Sequence, residues 1–400
     1  MEITREGVYK PFLAPDRCSG CDLCKAVCPA ISLDLKELSL RVFGRPPTDP
    51  YVGFVKSVYI GYSTDEGLRY MSSSGGVATA LIIKALEDGM VDGALLVKMD
   101  ERRPLLPKPF VARSPEEAKK AAGSKYCPVP LLTALPEAME LPGRFAVVGL
   151  PCHIWAMRKA EAVLKALREK AAFYIGLFCS HTFTFYATLL WLHELGVKPS
   201  EVVSLAYRGH GWPGYMTVKL RDGSWRWMPS LKYLIPFNPY LFTPLSCLAC
   251  PDATNELADI SVGDAWSLKE FTGELSPGYS LIVTRTPRGE ELLKSAVEEG
   301  RLSVRELSLK ELYKSQGVIL KLKKKGFLAR KRLLKARFGH LAIEVPHALK
   351  PDVRDYVSSS IAFLGAKLTS HRTIFLISAH VPIPLFRAFS LLFYAGAGRL

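Results

Sequence analysis

Short apolar runs alternate with stretches of helical periodicity along this chain, and the clearest case lies near its middle. "RFAVVGL" (144–150) reads as a buried strand. "HIWAMRKAEAVLKALREK" (153–170) follows, with Ile154, Met157, Ala160, Leu164 and Leu167 at helical spacing. "AAFYIGLFC" (171–179) is a second short apolar run. This pattern predicts a strand–helix–strand unit whose crossover makes the two strands parallel. Each strand runs out at a cysteine, Cys152 just past Pro151 and Cys179 at the second end. As neighbours, the two thiols would stand on the carboxyl-end rim where open α/β sheets bind ligands.

A second pattern precedes it. "MSSSGGVATALIIKALEDGMVDGALLV" (71–97) opens with three serines and two glycines. A helix with Val77, Ala80, Leu81, Lys84 and Leu86 around it follows, and "VDGALLV" reads as a strand. Hydroxyls and glycine backbone at a helix start leave N–H groups free for a phosphate. The stretch is not a G-x-G-x-x-G fingerprint, and an ordinary capped helix explains it equally well. "AAGSKY" (121–126) has the same two readings, an anion-holding turn or simply a turn.

These alternations predict an α/β chain with a mixed or mainly parallel sheet, and 400 residues allow two or three domains. Composition is globular, 48% hydrophobic and 23% charged. The start, "MEITREGVYKPF", carries acids and no apolar core, so it does not read as a secretory signal and the chain is expected in the cytoplasm. No uncharged apolar run reaches about 18 residues, which argues against a spanning helix. The tail stretch "TIFLISAHVPIPLFRAFSLLFYAGAG" is apolar but broken by His380, Pro382, Pro384 and Arg387, and its prolines are expected to interrupt a helix. Packing on the chain's own core or contact with another subunit is favoured for it. The remaining reading is peripheral association with the inner face of a membrane as part of a complex.

The formal charge of +15 favours anionic partners: an acidic cofactor, an acidic protein such as a ferredoxin, nucleic acid or lipid headgroups. Residues 321–337, "KLKKKGFLARKRLLKAR", carry nine Lys or Arg and supply much of the excess. They read as a solvated helix face or a docking surface.

Cysteine placement changes the picture most. Nine cysteines in a chain without an export signal suggest metal-binding thiolates rather than disulfides. Cys18, Cys21, Cys24 and Cys28 lie in "RCSGCDLCKAVCPA", the C-x2-C-x2-C-x3-C-P run of bacterial ferredoxins. Zinc sites pair two C-x2-C knuckles across a long gap, which suits this run poorly. In two-cluster ferredoxins the fourth cysteine serves the other cluster. Either Cys28 or a remote thiol such as Cys127 therefore completes this one, although Cys127 also reads as a small buried side chain. "CLACPD" adds Cys247 and Cys250, which with Cys152 and Cys179 would make four ligands. A Cys152–His153 dyad is disfavoured because consecutive extended residues point to opposite faces. A plain core role for Cys152 leaves the second strand end and the C-x2-C pair unexplained.

Taken in order, "SSSGGVATALIIKALEDGMVDGALLV", "AAGSKY", "VVGLPCHIWAMRK", "GLFCSHTF", "CLACPDATNELADISVGDAW" and "LIVTRTPRGEELLKSAVEEG" resemble the beta-subunit family of coenzyme F420 hydrogenases and dehydrogenases over about residues 50–346. The resemblance implies FAD and a core 4Fe–4S cluster, with the deazaflavin F420 as substrate. It makes Cys152, Cys179, Cys247 and Cys250 the core ligands. It makes Ser73, Ser74, Gly75, Gly76 and Thr79, with Gly123, Ser124 and Lys125, the FAD contacts. Asp259 and Asp264 fall on a family motif without a role. A ferredoxin-like segment is added at the front, His153 stands where glutamine is usual, and a tail continues past the usual end. The expected division is 1–48 for the outer 4Fe–4S segment, 49–170 and 171–346 for the two parts of the core, and 347–400 for a helical extension.

Function then follows as an expectation. Hydride passes between F420 and FAD, and single electrons pass through two clusters to or from a partner. One alternative keeps the cofactors but changes substrate or acceptor, as in relatives that reduce sulfite or a chlorophyll derivative or feed a glutamate synthase. Another is a relay subunit with no substrate of its own. A zinc-containing nucleic-acid binder fits strands that end in cysteine poorly.

Overall fold

The computed structural model describes residues 1–268, 277–339, 342–371, 374, 377–378, 381 and 383–396. Eight strands form one central sheet: β1 (Ser57–Ser63), β2 (Gly93–Met99), β3 (Pro107–Ala112), β4 (Phe145–Gly149), β5 (Ala171–Leu177), β6 (Ile260–Asp264), β7 (Ser280–Thr284) and β8 (Leu302–Leu307). Their spatial order is β8-β1-β7-β6-β5-β4-β2-β3. The four strands at its heart, β6, β5, β4 and β2, run parallel, and the flanking pairs are antiparallel. The sheet is therefore mixed, and it draws on both halves of the expected core.

The parallel heart explains the apolar runs. Phe145, Ala146 and Val147 in β4 are all fully buried because helices cover both faces. Alternate residues face opposite layers. Helix α1 (Leu23–Val27) belongs to the front segment, α2 (Val77–Glu87) covers one face of the sheet and α3 (Pro151–Val163) the other. Ala146 packs with Val77, Ala80 and Leu81 of α2, whereas Phe145 and Val147 pack with Ile154, Trp155 and Met157 of α3.

The crossover unit differs from expectation in three details. The second strand stops at Leu177, two residues before Cys179. The helix starts earlier, at Pro151, so Cys152 stands in its first turn and not on a strand end. Proline suits this position because a first-turn N–H has no helical partner anyway. The helix also breaks at Leu164, which is extended at φ −119°, and a short helix over Lys165–Lys170 follows. The break lets Leu167 reach the core before β5 begins at Ala171.

The front segment is stitched to a distant part of the chain, since Ser32–Asp34 pairs in parallel with Ala342–Glu344. A smaller three-stranded antiparallel sheet (Val202–Ala206, Tyr215–Leu220, Trp225–Pro229) packs with flanking helices around buried Trp191.

Two helices among the described residues of the tail pack on the chain itself. In α4 (Val353–Thr369), Ala362 and Ala366 pack with Tyr240, Leu248 and Leu334. From α5 (Ile383–Gly396), Phe386 stacks near Phe237 at 5.3 Å. Pro384 does not interrupt this helix, because it occupies the first turn, where no N–H is needed. His380 and Pro382 lie outside the described residues. Val353, Val357, Leu364 and Leu368 leave an exposed stripe along α4. No helix among the described residues is long and apolar enough to cross a membrane.

The basic run is not a uniformly solvated face. Lys323, Lys324 and Arg330 are buried. Arg330 is buried because its guanidinium satisfies backbone carbonyls, Leu248 O at 2.8 Å and Lys323 O at 3.1 Å. Lys324 pairs with the carboxylate of Glu256.

Candidate functional site

Three separate chain segments carry Cys152, Cys179 and the Cys247–Cys250 pair to the carboxyl-end rim of β4 and β5. Asn255 ties them together. Its side-chain amide donates to Gly149 O at the end of β4 at 2.8 Å and to Leu177 O at the end of β5 at 3.4 Å. The Cys179 N–H donates to Ala253 O at 2.9 Å, fixing that cysteine beside the loop after Cys250. Asp252, fully buried, shapes the same loop by accepting from the N–H groups of Thr254, Asn255 and Glu256. It also accepts from the Trp155 indole at 3.3 Å, which attaches the loop to α3.

The sulfurs share an environment. Burial pushes the Cys152 thiol up to about 12, with Cys250 and Cys247 adding to the rise. Burial likewise raises Cys179 and Cys247, and neighbouring thiols reinforce it. Cys152 stays accessible to solvent in the first turn of α3. Thiols that resist ionisation one by one need a cationic group among them to become thiolates together. This donor chemistry fits an iron–sulfur cube. Among the described residues, no three His, Cys, Asp or Glu side chains converge closely enough for a single metal ion. A cube, whose ligands take separate corners, does not require that convergence.

Lys323 is the cation nearest in effect to this set. Burial alone would lower its pKa, yet Cys250, Tyr240, Cys179 and Cys247 hold it above the ordinary lysine value. Nothing in the sequence separates Lys323 from the other lysines of its run. Asp252 and Asn255 had a faint signal, because Asp and Asn before successive free N–H groups form local turns.

His153 is a structural cap. Its Nδ1 accepts from the Leu150 N–H at 3.2 Å and its Nε2 lies 3.2 Å from Val129 O, so the ring is neutral with Nε2 as donor. Burial pushes its pKa down to about 4. Cys152 and His153 diverge because successive helical residues are about 100° apart, not because they are extended.

The candidate flavin segments meet each other. Ser73 Oγ accepts from the Ser124 N–H at 2.7 Å, joining the two turns. Ser74 Oγ and Ser280 Oγ lie 2.9 Å apart, and Ser280 Oγ accepts from the Gly75 N–H at 3.0 Å. Gly75 has no room for a side chain, since a Cβ would meet Gly61 O at 2.5 Å and Ser280 N at 2.8 Å. Gly76, at φ 77°, starts α2 without a capping side chain, leaving first-turn N–H groups open, and Thr79 is half-buried in that turn. Gly123 is also left-handed at φ 82°. Lys125 turns its ammonium onto the carbonyls of Ala121, Gly123 and Ala122 at 2.6, 2.8 and 3.2 Å, so it shapes the turn. A recess here is lined by Lys98, Lys120, Gly123, Ser124 and Arg208.

The two motif aspartates are anchors. Asp259 is fully buried and accepts from the Tyr174 N–H at 2.8 Å, Thr286 Oγ1 at 2.8 Å and Arg158 at 3.2 Å. Asp264 takes a two-pronged bond from Arg208, both at 2.8 Å, and the Trp212 indole at 2.9 Å. It therefore holds the 208–214 loop beside the recess.

In the front run, Cys18, Cys21 and Cys24 are exposed and Cys28 is half-buried at the end of α1. Gly20 and Asp22 take left-handed conformations that turn the loop tightly. Cys127 lies in the aromatic core around Trp191, 1% exposed, and burial pushes its thiol up to about 12.

Comparison with known proteins gives a consistent result. Two family models match, both described as coenzyme F420 hydrogenase/dehydrogenase, beta subunit. The model of the N-terminal part matches residues 58–136, and that of the C-terminal part matches residues 143–310. The chain is 33% identical over 267 residues to the coenzyme F420 hydrogenase subunit beta of Methanosarcina barkeri, covering 63% of this chain and 82% of that one. It is 30% identical over 301 residues to a coenzyme F420-dependent sulfite reductase of Methanocaldococcus jannaschii, covering 71% and 42% respectively. A chain in the F420-reducing [NiFe] hydrogenase complex of Methanosarcina barkeri superposes with a TM-score of 0.57 at 25% identity, over 75% of this chain and 99% of that one.

Proposed function

Because the chain belongs to the coenzyme F420 hydrogenase/dehydrogenase beta-subunit family, we propose that this oxidoreductase subunit binds FAD and two 4Fe–4S clusters, takes coenzyme F420 as substrate, and exchanges single electrons with a partner. The observation that carries the reading is the joining of the three segments that bear Cys152, Cys179 and the Cys247–Cys250 pair at one rim of the sheet, through Asn255 and the Cys179 N–H. A flavin handles electrons as hydride or singly, and iron–sulfur cubes handle them singly, which is the chemistry such groups supply.

The chain's own residues do the holding. The four rim cysteines hold the core cluster, and Cys18, Cys21, Cys24 and Cys28 hold the outer one. Ser73, Ser74, Gly75, Gly76 and Thr79, with the Gly123–Lys125 turn, form the flavin cradle. Open N–H groups at the start of α2 and the ammonium groups of Lys98 and Lys120 suit its phosphates. Helix α3 connects the two cysteine sets, with Cys152 in its first turn and Lys159 against the front segment. Redox partner subunits, or an acidic ferredoxin drawn by the positive charge, dock on this chain, and the exposed stripe on α4 suits packing against such a partner.

The test is an anaerobic visible spectrum with iron and flavin quantified. About eight irons and one FAD per chain are expected, and Cys152→Ser should lose roughly half the iron. Full iron retention in that variant would leave the thiol a packing group. Similarity to a sulfite reductase favours a second reading, the same cofactors serving another substrate. A loaded chain whose flavin is not reduced by reduced F420 would select that reading.

A further inference from the structure

Three consecutive lysines in the basic run have three different fates. They lie on a turn of π type, Lys321–Lys325, where the Gly326 N–H bonds to the carbonyl of Lys321 at 3.1 Å. Such turns re-aim side chains that a regular helix would spread evenly. Lys325 reaches the helix start at α4 and pairs with Asp352 at 2.6 Å and Asp355 at 3.5 Å. Lys324 pairs with buried Glu256. Lys323 is 1% exposed, and among the described residues no carboxylate pairs with it.

A buried ammonium without a counter-charge is costly, so something at that place must compensate it. Arg330 ties the Lys323 carbonyl, at 3.1 Å, to the Leu248 carbonyl, at 2.8 Å, between Cys247 and Cys250. The lysine's backbone is attached to that segment, and Cys250, Tyr240, Cys179 and Cys247 favour its charged form. His181 reinforces the point. It is buried, stacks near Tyr240 at 4.8 Å between ring centres, and neither ring nitrogen has a partner among the described residues. A buried cation on a segment tied to the Cys247–Cys250 pair and a buried unpartnered imidazole two residues from Cys179 thus lie beside the cysteine-bearing segments.

We propose that Lys323 is the internal counter-charge of the group bound by Cys152, Cys179, Cys247 and Cys250, and sets its reduction potential. This rests on the core-cluster reading above. A cube carried by four thiolates is anionic, and each added electron makes it more so. A fixed cation in a low-dielectric surrounding therefore stabilises the reduced form and raises the potential. Lys323 is a positioning residue, acting on the cluster and not on substrate.

The experiment uses the full chain purified anaerobically, with bound iron counted and the core cluster's midpoint potential read by an EPR-monitored redox titration. Lys323→Met and Lys323→Gln should keep the iron and shift the potential to more negative values. Lys323→Arg should stay near the wild type, as should the exposed control Lys321→Met on the same turn. Loaded Met and Gln variants with an unchanged potential would overturn the proposal. Should both neutral variants lose the core iron, retention in Lys323→Arg supports a charge requirement, and loss there too overturns it. Iron in Cys152→Ser equal to that of the wild type would instead sink the cluster reading itself.

Discussion

The ammonium of Lys159 donates to the backbone carbonyl of Cys28 at 3.1 Å, seven residues along the helix whose first turn carries Cys152. It also donates to the carbonyl of Ser32, and to the Ser32 hydroxyl at 3.1 Å. At about 1.5 Å of rise per residue, a rigid strut of about 10 Å separates the two positions. The front cysteine run is therefore held at a fixed place relative to the rim of the sheet.

Replacing Lys159 with Met removes a charged donor from two backbone acceptors, each bond being worth about 1.5–3 kcal/mol. The front segment should then be cut faster in limited proteolysis and release its iron more readily. The thermal transition of the central sheet should stay close to that of the wild type. Equal protease resistance in both proteins would show that the strand pairing at Ser32–Asp34 suffices.

Asn255→Ala leaves the Gly149 and Leu177 carbonyls without their shared donor at a fully buried site. A loss of about 1–3 kcal/mol is expected in denaturant unfolding. Iron should fall with it, because the three cysteine-bearing segments are no longer tied. Stability loss with undiminished iron would separate the two roles.

Gly75→Ala places a methyl group against the Gly61 carbonyl and the Ser280 nitrogen, both backbone atoms that cannot swing aside. Strain of about 1–3 kcal/mol is expected, with flavin content reduced as the turn shifts. Measurement of bound flavin in Gly75→Ala beside Ser73→Ala distinguishes a displaced turn from a lost hydroxyl.

Glu256 provides a pH signature. Burial raises its pKa to about 7, against the pull of Lys324, whereas an unfolded glutamate titrates near 4.3. Between those values the folded chain binds more protons than the unfolded one, so stability falls as pH rises toward about 7. The contribution is on the order of 3 kcal/mol. Glu256→Gln should flatten thermal stability across this window. An identical pH profile in the variant would place the titration elsewhere.

The sheet's centre was legible because β4 and β5 are buried on both faces and so are apolar throughout. The front run was legible because its four cysteines lie within eleven residues of one another. The basic run misled for a physical reason. A lysine's charge gives its cost in a buried place but not its location, and only the π-type turn decides that Lys323 and Lys324 go inward while Lys325 pairs near the surface. Pro384 misled similarly, since proline breaks a helix interior but suits its first turn.

By itself, then, the sequence determined the alternation of strand and helix, the compact cysteine run and the glycine-serine turns, because each depends on neighbours along the chain. Tertiary structure decided which remote groups adjoin: the segments of Cys152, Cys179 and the Cys247–Cys250 pair through Asn255, Ser73 with Ser124, and Lys159 with Cys28. The last two contacts span 51 and 131 residues, and local pattern carries no information about partners that far away. They follow from strand order, which sets the parallel rim at which distant loops must converge.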